Sequence, residues 1–311
     1  MSKYKIAILG IGGVGGYIGA KLAYKYSGAE DVEVIFIARG ENERVIKSNG
    51  LKLITAKTEQ TAYPFIVTHD TNNLGFIDLI ICCVKNYDLE ASVKSIEPCV
   101  NDKTIILPLL NGVDAQEKIK KLIPHAEVIG GCIYLVSRLI APGVIKESST
   151  INQIYLGSDL VPGQIMEQID MILNKAGLNA YLINNIESVI WEKYFFISTI
   201  GTLTSYLDLT IGQIMPDQNH KKLLVQLMQE LKLIAKAKKI SLQENIIEKT
   251  LAKLAAMPYD ATSSMHTDFK KGNRTELESL TGHVIQLGKD LNIATACYEQ
   301  MFNALIHKTT K

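Results

Sequence analysis

The chain has 311 residues, 47% of them hydrophobic, and its 33 basic and 32 acidic side chains leave a net charge of +1. That length supports two cores of ordinary size, the hydrophobic share excludes a disordered chain, and the charge balance leaves no electrostatic footprint for nucleic acid or an anionic membrane surface. The longest apolar runs, such as FIDLIICCV at residues 76–84, have the length of a strand and are too short to cross a bilayer.

The N-terminal MSKYKIAILG runs straight into glycine without a cleavable-signal pattern, which predicts a cytoplasmic protein. Cys82, Cys83, Cys99, Cys132 and Cys297 form no CxxC pair, and the first two sit in an apolar run as small hydrophobes, so neither disulfides nor zinc are expected. The histidines at 69, 125, 220, 266, 283 and 307 show no i, i+3 or i, i+4 pairing, and no metal is expected.

In chain order, KIAILG is followed by a helical pattern from Val14 to about Tyr26, then by VEVIFIA, IDLIICCVK, KTIILPLL and AEVIGGCIYLV. Short β-rich runs alternating with helices predict a parallel sheet with crossover helices. GVIKESSTINQIYLG carries two extended runs with no helix between them and predicts an antiparallel hairpin at the far side of the sheet. A helix near 162–176 and the strand NAYLIN close this half. After Asn184 the pattern becomes helical, over 186–206, about 217–238, 243–256, 273–291 and 295–308, with Leu223, Leu224, Leu227, Leu231 and Ile234 on one stripe. The expected class is α/β, a parallel-sheet domain over 1–184 followed by an all-α domain over 185–311. With no flexible linker between them, a cleft is expected where they pack.

The first strand ends in GIGGVGG, where Gly10, Gly12 and Gly15 form G-x-G-x-x-G between a strand and a helix. Gly10 permits the tight turn, Gly12 lets the backbone approach a pyrophosphate, and Gly15 lets the helix sit close to the strand. Gly10, Ile11, Gly12, Gly13, Val14 and Gly15 are therefore the expected dinucleotide cradle. The second strand ends FIARGEN, with Ala38 and Arg39 where an NAD site usually carries an acid. A cation there can pair with a 2′-phosphate, so NADPH is the expected cofactor; Glu41, past a glycine, reads as a helix-start residue. Two further residues follow strand ends at the ligand-binding edge, Lys85 in CCVKNYD and Asn111 in LPLLNGVD. Singly they read as a loop lysine and the left-handed residue of an Asn-Gly turn; together they become ligand candidates.

In the second half, WEKYFFISTIGTLTSY at 191–206 is apolar and aromatic nearly all round yet carries Lys193, whose burial without a partner would be costly. Trp191 and the Tyr194-Phe195-Phe196 run read as packing that holds this helix.

Taken in order, GIGGVGGYIGAKL, ARGEN, CVKNYD, NGVD, WEKY and SSMHTDFKKGNRTELE resemble the 2-dehydropantoate 2-reductase (ketopantoate reductase) family over nearly the whole chain. The resemblance implies an N-terminal Rossmann-type domain, an all-helical C-terminal domain, and NADPH-dependent reduction of a 2-oxo acid. In the named members this is the step giving pantoate for pantothenate and coenzyme A synthesis. It implies Lys193 as general acid, Glu276 as its catalytic companion, Ser264 as a substrate contact, Asn111 as a contact for nicotinamide and substrate, and Arg39 and Lys85 on the cofactor side.

The chemistry agrees, because hydride delivery to a ketone creates an alkoxide that needs a proton donor, and a partly desolvated lysine can supply one near neutral pH. Glu276 would orient Lys193 or accept a substrate hydroxyl; from the residues alone it reads as a surface carboxylate on a helix shared with Arg274 and Glu278. Ser264 could equally cap the helix of SSMHTDFKK, and His266 reads as a loop or surface residue. At four positions where the best-known members have substrate-side asparagines, this chain has Ile197, Gly201, Ile211 and Ala261. Reduction of some 2-oxo acid is therefore better supported than ketopantoate itself. Two alternatives stand beside it: a reductase of a different 2-oxo acid or imine, and a non-catalytic NADP-binding sensor, against which the retained Lys193 and Glu276 argue. The exposed helical domain leaves a homodimer open.

Overall fold

The structure, a computed structural model, describes residues 3–149 and 151–308. Thr150, inside the segment read as a hairpin, lies outside the described residues. The chain divides into two compact units, Met1–Leu110 with Asp114–Ile186, and Asn111–Val113 with Glu187–Lys311.

In the first unit six strands, β1 (Tyr4–Leu9), β2 (Val32–Ile37), β3 (Ile66–Thr68), β4 (Leu79–Cys82), β5 (Ile105–Pro108) and β6 (Glu127–Val128), form one sheet. All neighbours pair in parallel, in the order β3-β2-β1-β4-β5-β6. The sheet is parallel, as the alternation of strands and helices predicted; its order is doubly wound, with the switch point, where such sheets bind ligands, between β1 and β4. The strands are apolar on both sides because both faces are covered. Ile6 and Ile8 enter one core with Phe36, while Ala7 and Leu9 enter the other with Ile35 and Ile37. The helix Gly13–Lys25 contains four glycines, which disfavour a helix. Packing overrides that preference: a Cβ on Gly19 would stand 2.8 Å from the Phe36 ring.

Two expectations are corrected in this unit. AEVIGGCIYLV is not one strand, because Glu127–Val128 joins the parallel sheet whereas Gly130–Tyr134 belongs to a second, three-stranded sheet. A Gly131 side chain would stand 3.0 Å from the Leu109 side chain, so the glycine pair is what lets the chain cross there. GVIKESSTINQIYLG is not a hairpin either. Val144–Glu147 pairs antiparallel with the preceding Ser137–Ala141, while Gln153–Gly157 lies between Gly130–Tyr134 and Asn179–Leu182. The turn of the true hairpin is Pro142-Gly143, with Gly143 at φ +71°, a dipeptide that marks turns and was open to reading in the sequence.

Among its described residues the second unit contains helices joined by turns and no strand. The helices are Ile186–Leu207, Ile211–Ile214, Gln218–Ala237, Ile246–Ala255, Ser264–Lys270, His283–Leu291 and Ala296–Ile306, with a π-helical turn at Glu278–Gly282. Leu224, Leu227, Leu231 and Ile234 are fully buried on their stripe, and Leu223 is half-buried at its edge. The helix expected over 273–291 begins later. Residues 273–276 are not helical, and the chain enters the helix through the π turn. Among the described residues no helix is long and apolar enough to cross a membrane.

Candidate functional site

At the carboxyl end of β1, Gly10 turns the chain at φ +93°, a conformation that favours glycine. Gly12 caps the helix Gly13–Lys25, and no heavy atom lies within 4 Å of where its Cβ would stand. The open backbone meets the partial positive charge of a helix N-terminus there, so an anionic group can approach closely. A Cβ on Gly15 would overlap the Gly10 carbonyl oxygen and stand 2.9 Å from the Cys83 Cβ, so glycine alone allows the helix to seat this close to the strands. Gly13 is shielded differently, because a Cβ there would overlap the backbone at Ser137, which puts the hairpin strand beside the loop.

One residue that braces this loop carried no signal in the sequence. Asn42, in the polar first turn of the helix Gly40–Asn49, donates from Nδ2 to the Ile11 carbonyl at 2.8 Å and accepts at Oδ1 from the Gly143 N–H at 2.7 Å. It ties the glycine loop to the Pro142-Gly143 turn, two segments that only the fold brings together. Arg39, just past β2, is exposed and forms an ion pair with Asp88 at 3.1 Å. Lys85, also exposed, precedes the short turn Asn86–Asp88 that follows β4. The open backbone at Gly12 suits a pyrophosphate and the Arg39 guanidinium a phosphate ester.

In the second unit, three predicted residues come together. Lys193 donates from Nζ to Asn111 Oδ1 at 3.0 Å, and Asn111 Nδ2 donates to Glu276 Oε2 at 3.4 Å. Glu276 is 5% exposed, which overturns its description as a surface carboxylate on a helix. It stands on the non-helical stretch 273–276, aimed inward. The left-handed residue of the Asn-Gly pair is Gly112, at φ +101°, so Asn111 keeps an ordinary backbone and its amide bridges the ammonium and the carboxylate. A half-buried ammonium held by a neutral amide, with a carboxylate beyond it, can present a proton while the amide fixes its direction.

A row of hydroxyls holds the backbone that follows Glu276. On the helix Ile186–Leu207, Tyr194 and Ser198 donate to the carbonyls of Ser279 and Leu280 at 3.0 and 2.6 Å, and Thr202 meets Thr281 at 2.8 Å. The spacing of four places all three on one helix face. A π turn disrupts the regular α-helical ladder; Tyr194 and Ser198 satisfy two of its buried carbonyls, and Thr202 holds the Thr281 hydroxyl. Ser198 also meets the Tyr298 hydroxyl at 2.9 Å, and burial pushes that phenol well above its usual range. Lys193 and Glu276 thus stand at the ends of two segments clasped to each other.

The serine pair is assigned differently from expectation. Ser263 is the helix cap, accepting from the His266 N–H at 3.0 Å and meeting Thr204 Oγ1 at 2.9 Å, while Ser264 is the first helical residue and exposed. His266 is not a surface residue. It is 2% exposed, with Nε2 2.7 Å from Asp208 Oδ1 and Nδ1 2.5 Å from Thr262 Oγ1. The hydrogen bond with His266 holds the Asp208 carboxyl below the usual carboxylate range.

The four positions that carry family asparagines elsewhere are apolar in surroundings as well as in sequence. Ile197 is half-buried against the helical core, and a Cβ on Gly201 would meet Met265 and Leu280 at 3.4 and 3.7 Å. Ile211 is buried, and its N–H donates to the Ala261 carbonyl at 2.8 Å, so the last two positions are backbone neighbours.

Fold and residues together define a class, oxidoreductases built on a dinucleotide-binding sheet, and comparison with known proteins narrows it. Residues 6–159 match the family described as ketopantoate reductase PanE/ApbA, and residues 185–309 match ketopantoate reductase PanE/ApbA C terminal. The chain belongs to the ketopantoate reductase family. It is 31% identical to 2-dehydropantoate 2-reductase from Porphyromonas gingivalis W83, whose crystal structure superposes with a TM-score of 0.86 over 98% of this chain and 100% of that one. The uncharacterized oxidoreductase YkpB of Bacillus subtilis (strain 168) is 26% identical over 301 residues, 96% of each chain. A D-mandelate dehydrogenase, solved as a ternary structure with NADH and anilino(oxo)acetate, is 25% identical with a TM-score of 0.85 over 98% of both chains.

Proposed function

We propose that this protein reduces a 2-oxo acid to the 2-hydroxy acid with NADPH, ketopantoate being the leading substrate, in pantothenate synthesis in the cytoplasm. The observation that carries the proposal is the hydrogen-bonded chain Lys193–Asn111–Glu276. When bound, the nicotinamide supplies a hydride to the substrate carbonyl carbon. The residues 1–184 hold the cofactor: the backbone from Gly10 to Gly15 cradles the pyrophosphate, Arg39 pairs with the 2′-phosphate, and Lys85 lines the same edge. The residues 185–311 act on the substrate. Lys193 gives a proton from Nζ to the carbonyl oxygen as it becomes an alkoxide, so that the charge never has to stand unpaired in the site. Asn111 aims that ammonium, Glu276 orients it through Asn111, and Ser264 contacts the substrate.

A second reading concerns the substrate alone. Ile197, Gly201, Ile211 and Ala261 offer no side-chain amides, and a site built around hydroxyl recognition loses strongly when its partners are missing. With the likeness to a D-mandelate dehydrogenase, this favours a 2-oxo acid with an apolar side chain.

Following NADPH oxidation by the purified protein against a panel of 2-oxo acids tests both. Turnover of ketopantoate ahead of apolar 2-oxo acids supports the first, and the reverse order supports the second. Tight NADPH binding with no turnover of any oxo acid would leave a cofactor sensor and end the proposal.

A further inference from the structure

Resting on the cofactor reading above, we propose that Asp88 is a second determinant of cofactor choice, one that competes with a 2′-phosphate for the Arg39 guanidinium and so narrows the preference for NADPH over NADH. Arg39 follows β2 and Asp88 follows β4, the two strands that flank β1. Their ion pair, Nη2 to Oδ2 at 3.1 Å, therefore reaches past the carboxyl end of β1, beside the glycine loop. That is the switch point at which a doubly wound sheet takes its dinucleotide.

The pair is open to exchange. The Arg39 side chain is 74% exposed and that of Asp88 32%, so a ligand can reach both. The acids near Arg39 in sequence are engaged elsewhere, Glu41 by Arg44, whose Nε donates to it at 2.9 Å, and Glu43 by Lys47 and His69. Asp88 is thus the carboxylate paired with the guanidinium, and Lys85 is the cation on the same loop. A 2′-phosphate that takes Arg39 must separate it from Asp88 and then face that carboxylate at short range, with like charges opposed. A 2′-hydroxyl meets the opposite situation, because Asp88 can accept its hydrogen bond while remaining beside Arg39. The one carboxylate therefore acts against the phosphorylated cofactor and in favour of the other.

An exposed ion pair shifts an equilibrium by up to about fivefold, and relief of repulsion against a phosphate adds a comparable factor. Asp88→Asn is expected to raise the ratio of NADPH to NADH affinity about tenfold. The measurement is a fluorescence titration of the full-length protein with NADPH and with NADH at low ionic strength, for the wild type, Asp88→Asn and Arg39→Ala, with Asp88→Ser replacing the asparagine variant if that fails to fold. A raised ratio in the Asp88 variant, with NADPH binding weakened in Arg39→Ala, is the expected result. An unchanged or lowered ratio in the Asp88 variant, while Arg39→Ala still weakens NADPH, overturns the role of Asp88 and leaves the cofactor reading standing. NADPH affinity indifferent to Arg39→Ala overturns the cofactor reading itself.

Discussion

Replacing Lys193 with alanine should lower kcat for 2-oxo-acid reduction by about 10²–10⁴-fold, the usual contribution of a positioned proton donor, while NADPH binding changes little. The expectation follows from where the charge goes. Hydride addition leaves a full negative charge on the former carbonyl oxygen, and of the three hydrogen-bonded residues Lys193, Asn111 and Glu276, the lysine carries the amine that can donate a proton to it. Asn111 can polarise the oxygen but cannot neutralise it, and Glu276 is hydrogen-bonded to Asn111. Lys193→Ala also leaves Asn111 Oδ1 without its 3.0 Å donor, so the amide should be less well aimed and the loss should not be fully rescued by added primary amine. Stopped-flow single turnovers separate this chemical step from binding; a variant that turns over at the wild-type rate would remove the lysine from the mechanism.

The second large effect is a contrast between two glycines three residues apart. Gly15→Ala should cost about 3 kcal/mol or more of stability, because its Cβ would overlap a backbone carbonyl that cannot rotate away and would also press on the Cys83 Cβ at 2.9 Å. Gly12→Ala should leave stability within roughly 0.5 kcal/mol, since nothing stands within 4 Å of the added methyl and Gly12 has an extended backbone at φ −94°. Its cost should appear in dinucleotide affinity instead, where the methyl takes the space open to a pyrophosphate. Denaturant unfolding of both variants, paired with NADPH titration, checks this. Equal destabilisation by the two substitutions would mean that the packing around the loop differs from that described.

These two sites differ in how far the sequence announces them. The glycine spacing, the alternation of strands and helices, and a single lysine in an aromatic run are local patterns, and local patterns survive without tertiary knowledge. The same holds for the parallel sheet, whose strands are continuous apolar runs because both faces are covered. Glu276 is different, because its neighbours Arg274 and Glu278 give it the look of a solvated helix face, and only the fold turns residues 273–276 out of the helix and buries the carboxylate beside Asn111. The π turn after it depends on hydroxyls from residues far away in the chain, Tyr194, Ser198 and Thr202. His266 reads as a surface residue until Asp208 and Thr262 are seen to satisfy both ring nitrogens. Asn42 and Asp88 likewise acquire meaning only from partners that the sheet brings near, Ile11 with Gly143 and Arg39.

The hairpin is a different kind of miss. Pro142-Gly143 is a dipeptide that favours a turn, but in the sequence the two β-rich runs that follow it read as partners, because they are adjacent with no helix between them. Each in fact finds its pairing in a different sheet, Val144–Glu147 beside Ser137–Ala141 and Leu51–Ile54, and Gln153–Gly157 beside Gly130–Tyr134 and Asn179–Leu182. Sequential strands usually pair, and here the turn dipeptide outranks proximity.

The central claim is that the nitrogen of Lys193 is the proton donor to the reduced oxygen, and a crystal structure of the protein with NADP⁺ and the 2-hydroxy acid product of its best substrate tests it most directly. Lys193 Nζ is expected within about 3 Å of the 2-hydroxyl oxygen, still held by Asn111. A product hydroxyl bound by another acid, with the Lys193 nitrogen turned away from it, would contradict the account.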